Sequence, residues 1–174
     1  MFKRSRKIGV IFLGTVLVAA CGYRFEGQGQ YPQGVQHIFI EVFENRTSKT
    51  GIERVVTNQV IFEFTRQRGK SLASSPANAD AILKGVIKTI RTQTIARVGT
   101  EVASQREVFM KVDLALVPRD GGQALWTAKD ISGRQAYDVA ENSKIITDQN
   151  ETQAIAILSE RMSERIFNRL TNDF

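Results

Sequence analysis

The chain has 174 residues, a net charge of +6, one cysteine and one histidine. Four basic residues fall within positions 3–7, so the chain from residue 21 onward carries a net charge of only +2. A balance this close to neutral does not support a nucleic-acid-binding protein. One cysteine and one isolated histidine, His37, also exclude a disulfide framework and a metal site of recognisable ligand spacing.

The first 20 residues have the layout of a secretory signal peptide. Lys3, Arg4, Arg6 and Lys7 precede an uncharged apolar run that begins at Ile8 and ends in two alanines. A membrane-spanning helix needs about 20 apolar residues, and this run is shorter. A basic segment, a short apolar segment and small residues at the end are typical of a cleaved leader. We therefore predict that residues 1–20 are a signal peptide and form no part of the fold.

Cys21 follows the leader directly, and two kinds of cleavage fit it. Ordinary signal cleavage would leave Cys21 as a free thiol, which has no partner for a disulfide in an oxidising compartment. Residues 17–21, LVAAC, also resemble a lipobox, in which the cysteine receives a lipid before cleavage. We predict lipid attachment at Cys21, with the acyl chains anchoring the protein to a membrane. The next residue is Gly22 and not aspartate, and in this the chain resembles lipoproteins that are sent to the outer membrane.

Residues 21–36 are rich in glycine and glutamine, and we predict a lipidated tether there and a single domain over residues 37–174. The apolar run 37–43 predicts a strand with Ile38, Ile40 and Val42 on one face and Phe39 and Phe43 on the other. The capping-box spacing of Thr50 and Glu53 predicts a helix that carries Ile52, Val56, Val60 and Phe64 and ends near Gln67. Further strands are predicted over residues 81–97, around 108–116 and over 124–137, with a polar loop at 98–105 and a tight turn at 118–122. A second capping box, Asp148 and Glu151, predicts the start of the last helix.

This order of elements, β-α-β-β-β-α, predicts an α+β fold with a mixed four-stranded sheet and two helices packed on one of its faces. The two strands joined through the first helix should be parallel. We find no phosphate-binding glycine loop, nucleophile motif or cluster of metal ligands in the sequence. The sequence thus predicts a protein that is not an enzyme and that needs no cofactor or metal, with a role in binding or assembly.

Several short motifs together resemble the LptE family of lipopolysaccharide-assembly lipoproteins. They span the length of the chain after the leader: residues 21–25 (CGYRF), 42–47 (VFENRT), 51–53 (GIE), 78–83 (NADAIL), 125–126 (LW) and the closing amphipathic helix. The resemblance implies a protein anchored by its acyl groups at the periplasmic face of the outer membrane. It also implies that the chain plugs the β-barrel LptD and helps to deliver lipopolysaccharide to the cell surface. An alternative from a different class is a structural or adaptor lipoprotein of an outer-membrane secretion or pilus-type complex.

Two sets of residues are candidates for contacts with these partners. If Val112 and its even-numbered neighbours face the helices, Phe109 should face outward, and we expect Trp126 beside it, both in contact with the barrel. The alternative is that loops or the tether cover this face. The strand directions should also bring Arg91, Arg97, Arg106 and Arg134 to one end of the sheet. Guanidinium groups bind phosphate well, so these four arginines are candidate lipopolysaccharide contacts; ordinary cross-strand pairing, such as Arg134 with Glu107, is the alternative.

Overall fold

The computed structural model describes residues 31–32, 34–67, 71–99 and 102–172. The predicted leader and Cys21 lie outside these described residues. Within the described part of the chain, neither helix is both long and apolar enough to cross a membrane.

The described residues form six strands, two α-helices and one short 3-10 helix. In chain order they are β1 (His37–Ile40), β2 (Glu44–Asn45), α1 (Ile52–Arg66), β3 (Ser71–Leu72), the 3-10 helix (Pro76–Asn78), β4 (Ala81–Val98), β5 (Val102–Pro118), β6 (Trp126–Asp138) and α2 (Lys144–Asn172).

The sheet is mixed, with the strand order β3-β1-β4-β5-β6 and β2 pairing with β4. β1 is parallel to β4, with Ile38 opposite Ala81, and the connection between them contains α1. β4, β5 and β6 are antiparallel neighbours. The predicted α+β class and the parallel first pair are confirmed. The sheet has two more strands than the four predicted, because β2 and β3 are pairs of residues too short to leave a hydrophobic pattern.

Both helices contribute to one core with the inner face of the sheet. The predicted stripe of α1, including Val56, Val60 and Phe64, is fully buried, as are Leu158, Met162 and Ile166 of α2. The rings of Phe64 and Phe167 meet edge to face, 5.0 Å apart, which joins the two helices. Gly133 of β6 provides room for α2, since a Cβ there would come within 2.8 Å of Leu158.

Both predicted capping boxes are wrong. α1 begins after Gly51, which has a left-handed φ of 85°, and no side chain caps the helix. Glu53 instead accepts a hydrogen bond from Asn45. α2 begins one turn before Asp148, where the Ser143 hydroxyl accepts a bond from the Ile146 N–H. A capping residue needs extended backbone, and a pattern of residue types cannot show which candidate has it.

The predicted loop at residues 98–105 is largely strand. β4 continues to Val98 and β5 begins at Val102, so the two strands form a long hairpin. At this end of the hairpin Arg97, Gly99 and Gln105 are exposed. Backbone pairing holds this polar segment together, and its side chains therefore carry little of the apolar alternation that predicts a strand.

β1 is shorter than the predicted strand. It ends at Ile40, after which Val42 is 63% exposed and Phe43 is buried on the core side with Ile38 and Ile40. The prediction that Val42 shares a face with the two isoleucines, and that Phe43 lies on the other face, is therefore wrong. Tyr31, in the segment predicted as tether, is also part of the core, and burial raises its pKa.

Candidate functional site

A bulge in β4 determines which side chains reach the outer face of the sheet, the face turned away from the helices. Ile87 pairs with Val112, but Thr89 pairs with Lys111, so Lys88 is an extra residue in the strand. An extra residue exchanges the two faces for the residues that follow it, here as far as the next irregularity after Thr94. Ile90 therefore turns toward the core, and Arg91 emerges on the outer face opposite Phe109.

Arg91, Phe109 and Arg134 lie side by side on three neighbouring strands, and we call this set the arginine rung. Phe109 pairs with Arg91 on β4 and with Arg134 on β6. The guanidinium carbons lie 4.7 Å and 5.5 Å from the centroid of the Phe109 ring. These distances are within the range of cation–π attraction, which holds both groups over the ring. The outward orientation predicted for Phe109 is confirmed, and the residue is half-buried.

The two arginines differ in their acidic partners. Arg134 is 3.8 Å from the Glu107 carboxylate, which also accepts a hydrogen bond from Gln93. This is the ordinary cross-strand pair considered from the sequence, and it is weak because the distance is long and the Arg134 side chain is exposed. For Arg91, no carboxylate of the described residues comes within 4 Å. The rung therefore presents two guanidinium groups on one surface, with only partial neutralisation.

The other two predicted arginines lie elsewhere. Arg106 is on the opposite face, where it pairs with Tyr137, whose hydroxyl donates to the Glu151 carboxylate at 3.4 Å. Burial and the Glu151 carboxylate raise the pKa of Tyr137, although the positive charge of Arg106 opposes this. Arg97 pairs with Ala103 near the hairpin tip, and six residues of strand place it about 20 Å beyond Arg91. The structure thus brings together Arg91 and Arg134 and separates the other two from them.

The predicted outward position of Trp126 is wrong. Trp126 pairs with Leu116, and both residues are buried in the core between the sheet and the helices. Only 7% of the Trp126 surface is exposed. Its face depends on the register between β5 and β6, which the connection at residues 119–125 sets and the apolar pattern alone does not.

A charged cluster in the middle of the outer face was not predicted. Asp130 lies in a bulge of β6 with a positive φ of 57°, and its N–H donates to Asp113 at 2.8 Å. Lys88 lies 3.1 Å from Asp113, and Lys111 lies 3.2 Å from Asp130. Desolvation opposes ionisation of Asp113, but these donors hold its pKa below the usual value. The available signal in the sequence was an aspartate inside a strand pattern. Aspartate tolerates left-handed backbone better than most residues, so it indicates a bulge there.

The chemistry of the arginine rung suits the binding of an anion. Among the residues that the structure describes, no three His, Cys, Asp or Glu side chains gather in a way that could hold a metal ion. The arginine rung has donors and positive charge on an exposed strand surface, which suits a phosphate or carboxylate ligand.

Comparison with known proteins identifies the family. The LptE lipopolysaccharide-assembly model matches residues 35–170, most of the chain, and the protein therefore belongs to the LptE family. It is a lipopolysaccharide-assembly lipoprotein of a family that is not enzymatic. A search of curated protein sequences finds no match.

Solved lipoprotein structures share the fold. Lipoprotein B from Nitrosomonas europaea has a TM-score of 0.61 at 10% identity, over 86% of this chain and 90% of that one. Rare lipoprotein B from Shewanella oneidensis has a TM-score of 0.53 at 12% identity, over 78% and 95%. A minor lipoprotein from Acinetobacter baumannii has a TM-score of 0.51 at 12% identity, over 79% and 92%. At such identities the likeness shows the fold alone.

Proposed function

We propose that this protein is anchored by lipid at Cys21 in the outer membrane, plugs an LptD-type β-barrel and contacts lipopolysaccharide through the arginine rung. Membership of the LptE family supports the assembly role. The signal-like leader and the lipobox-like residues before Cys21 support the anchor. The proposed organisation is a leader over residues 1–20, a lipidated tether that begins at Cys21, and one folded domain.

The proposed ligand contact is inferred from one observation, which is that two guanidinium groups are held over the Phe109 ring. Their ring-stacked position orients both arginines before any ligand arrives, so less side-chain freedom is lost on binding. Lipid A carries phosphate groups, and guanidinium binds phosphate with paired donors. Arg91 and Arg134 are therefore the proposed lipopolysaccharide contacts of the four predicted arginines, and Phe109 is the platform that positions them. The barrel contact predicted for Phe109 stays a prediction.

The proposal is tested by lipopolysaccharide binding of the protein without its first 21 residues. Changing Arg91→Ser and Arg134→Ser together should weaken binding at low salt, where screening is least. A matched control, Arg54→Ser with Arg169→Ser, removes the same charge from exposed positions on the helices. An equal loss of binding in both double variants would show that the effect comes from net charge and not from the arginine rung. Unchanged binding in the first would move the ligand site away from the rung.

A further inference from the structure

β6 is a long open edge of the sheet. It ends the strand order and runs for 13 residues, whereas β3 at the other end has only 2. An open edge presents unpaired N–H and C=O groups, which can pair with a strand of another molecule. A 13-residue edge is long enough for such pairing, so the groups that surround it decide whether the edge is available.

Backbone geometry shows which β6 residues point outward. The Val139 N–H donates to the Ser104 carbonyl across the continuation of the β5–β6 pairing. In an antiparallel pair, hydrogen-bonded residues alternate with residues whose backbone groups point away. The even-numbered residues of β6 in this stretch therefore direct both backbone groups to the open side. These residues are Ser132, Arg134, Ala136 and Asp138.

Side chains occupy three of those four outward carbonyls. Arg165 of α2 donates to the Ser132 carbonyl. Asn150, also of α2, donates to the Asp138 carbonyl at 2.9 Å. Gln135 donates to the Ala136 carbonyl at 3.0 Å, and Arg161 of α2 holds that amide through a 2.6 Å bond. Three α2 side chains thus lie across the edge, directly or through Gln135, where an incoming strand would bind.

The edge is complementary to itself. The side chains of Arg134, Ala136 and Asp138 share the outer face of the sheet, because every second residue of a strand points to the same side. If two copies paired antiparallel about Ala136, Arg134 of each copy would lie opposite Asp138 of the other, giving two cross-strand ion pairs. A contact of this kind is isologous, the commonest arrangement in protein dimers. Charge complementarity therefore favours a second copy of this chain as the strand that fits this edge.

We propose that the β6 edge is a pairing surface for a second copy of this chain, and that Asn150, Arg161 and Arg165 keep it closed. Arg165 and Asn150 donate to two of the carbonyls that a second strand would use, and Arg161 holds the Gln135 amide that donates to a third. They also project from α2 over the path of that strand. The consequence is a protein that stays monomeric as long as α2 is packed beside β6.

The test places a cysteine at the centre of the predicted contact. In the full-length chain, exported by a Gram-negative host, Ala136→Cys alone should give little disulfide-linked dimer on a non-reducing gel. Adding Asn150→Ala, Arg161→Ala and Arg165→Ala should raise the dimer several-fold. Two residues in a hydrogen-bonded antiparallel pair have Cα atoms about 5.5 Å apart, which suits a disulfide.

A matched control separates edge opening from loss of charge. Asn58→Ala, Arg54→Ala and Arg46→Ala remove the same residue types from exposed positions on α1 and just before it. Combined with Ala136→Cys, this set should leave the dimer at its low level. The proposal is overturned if the α2 set gives no increase, or if the control set gives an equal one. It is also overturned if Thr127→Cys, exposed on β6 but distant from Ala136, captures as much dimer as Ala136→Cys in the α2 background.

Discussion

The Phe43 ring covers Gly85 so closely that a Cβ at residue 85 would come within 2.5 Å of the ring. Phe43 is 2% exposed, so neighbouring core residues enclose the ring. Gly85→Ala should therefore destabilise the domain by about 1–3 kcal/mol through overpacking. Urea unfolding of the protein without its first 21 residues measures this. Lys84→Ala, at the exposed neighbouring position, is the control and should change stability little; a stable Gly85→Ala variant would show that the ring can shift.

The Phe43 backbone depends on a buried hydroxyl. The Phe43 N–H donates to Thr57 Oγ1 at 3.0 Å, and that hydroxyl donates to the Glu53 carbonyl. Thr57→Val keeps the shape but leaves the N–H unsatisfied, at a cost of about 1–3 kcal/mol. Thr65→Val is a matched control, because Thr65 makes the same bond to a carbonyl one turn earlier on the exposed side of α1. Equal unfolding midpoints for the two variants would contradict the assigned role of the Thr57 hydroxyl.

Asp80 joins the start of β1 to the start of β4. Its carboxylate accepts the N–H groups of Gln36 and His37, at 2.9 Å and 2.8 Å, and these bonds hold its pKa below the usual 3.8. A lowered folded-state pKa gives stability that is present above the unfolded value and lost as the pH falls through the folded one. Wild-type stability should therefore decline below about pH 4, and Asp80→Asn should decline less over the same range. Urea midpoints measured from pH 6 to pH 2 check this, and identical slopes would refute it.

Sequence reasoning succeeded where one local signal decides the structure. The stripe from Ile52 to Phe64 predicted the buried face of α1, and the Asp-Gly-Gly turn has its two glycines at positive φ, 86° and 114°. The prediction failed where the strand register determines which face of the sheet a side chain occupies. The extra residue at Lys88 exchanges the faces of β4, and the connection before Trp126 sets which face that ring occupies. Neither effect leaves a mark in hydrophobic periodicity.

The candidate site shows the same contrast between features set by local sequence and features set by strand register. Arginines at the polar ends of strands were visible in the sequence, and two of them meet at Phe109. The separation of Arg106 from this rung follows from strand alternation, which places it on the face opposite Phe109. The candidate residues and the separation of Arg106 were therefore predictable, but the meeting of Arg91 and Arg134 at Phe109 required the register.

Attachment through Cys21 is tested by its replacement. Cys21→Ala should release exported protein into the periplasmic soluble fraction, or leave the leader uncleaved, because the acyl acceptor is lost. Fractionation and the mass of the mature N-terminus distinguish these results. Mature variant protein that stays on the outer membrane at wild-type levels would show that protein contacts alone hold it there.

The most direct test of the proposed function is to isolate the full-length protein from outer membranes in mild detergent and identify what comes with it. We expect one large β-barrel of the LptD type in stable association. Recovery of a multi-subunit ring or secretion assembly instead, with no such barrel, would contradict the proposed function.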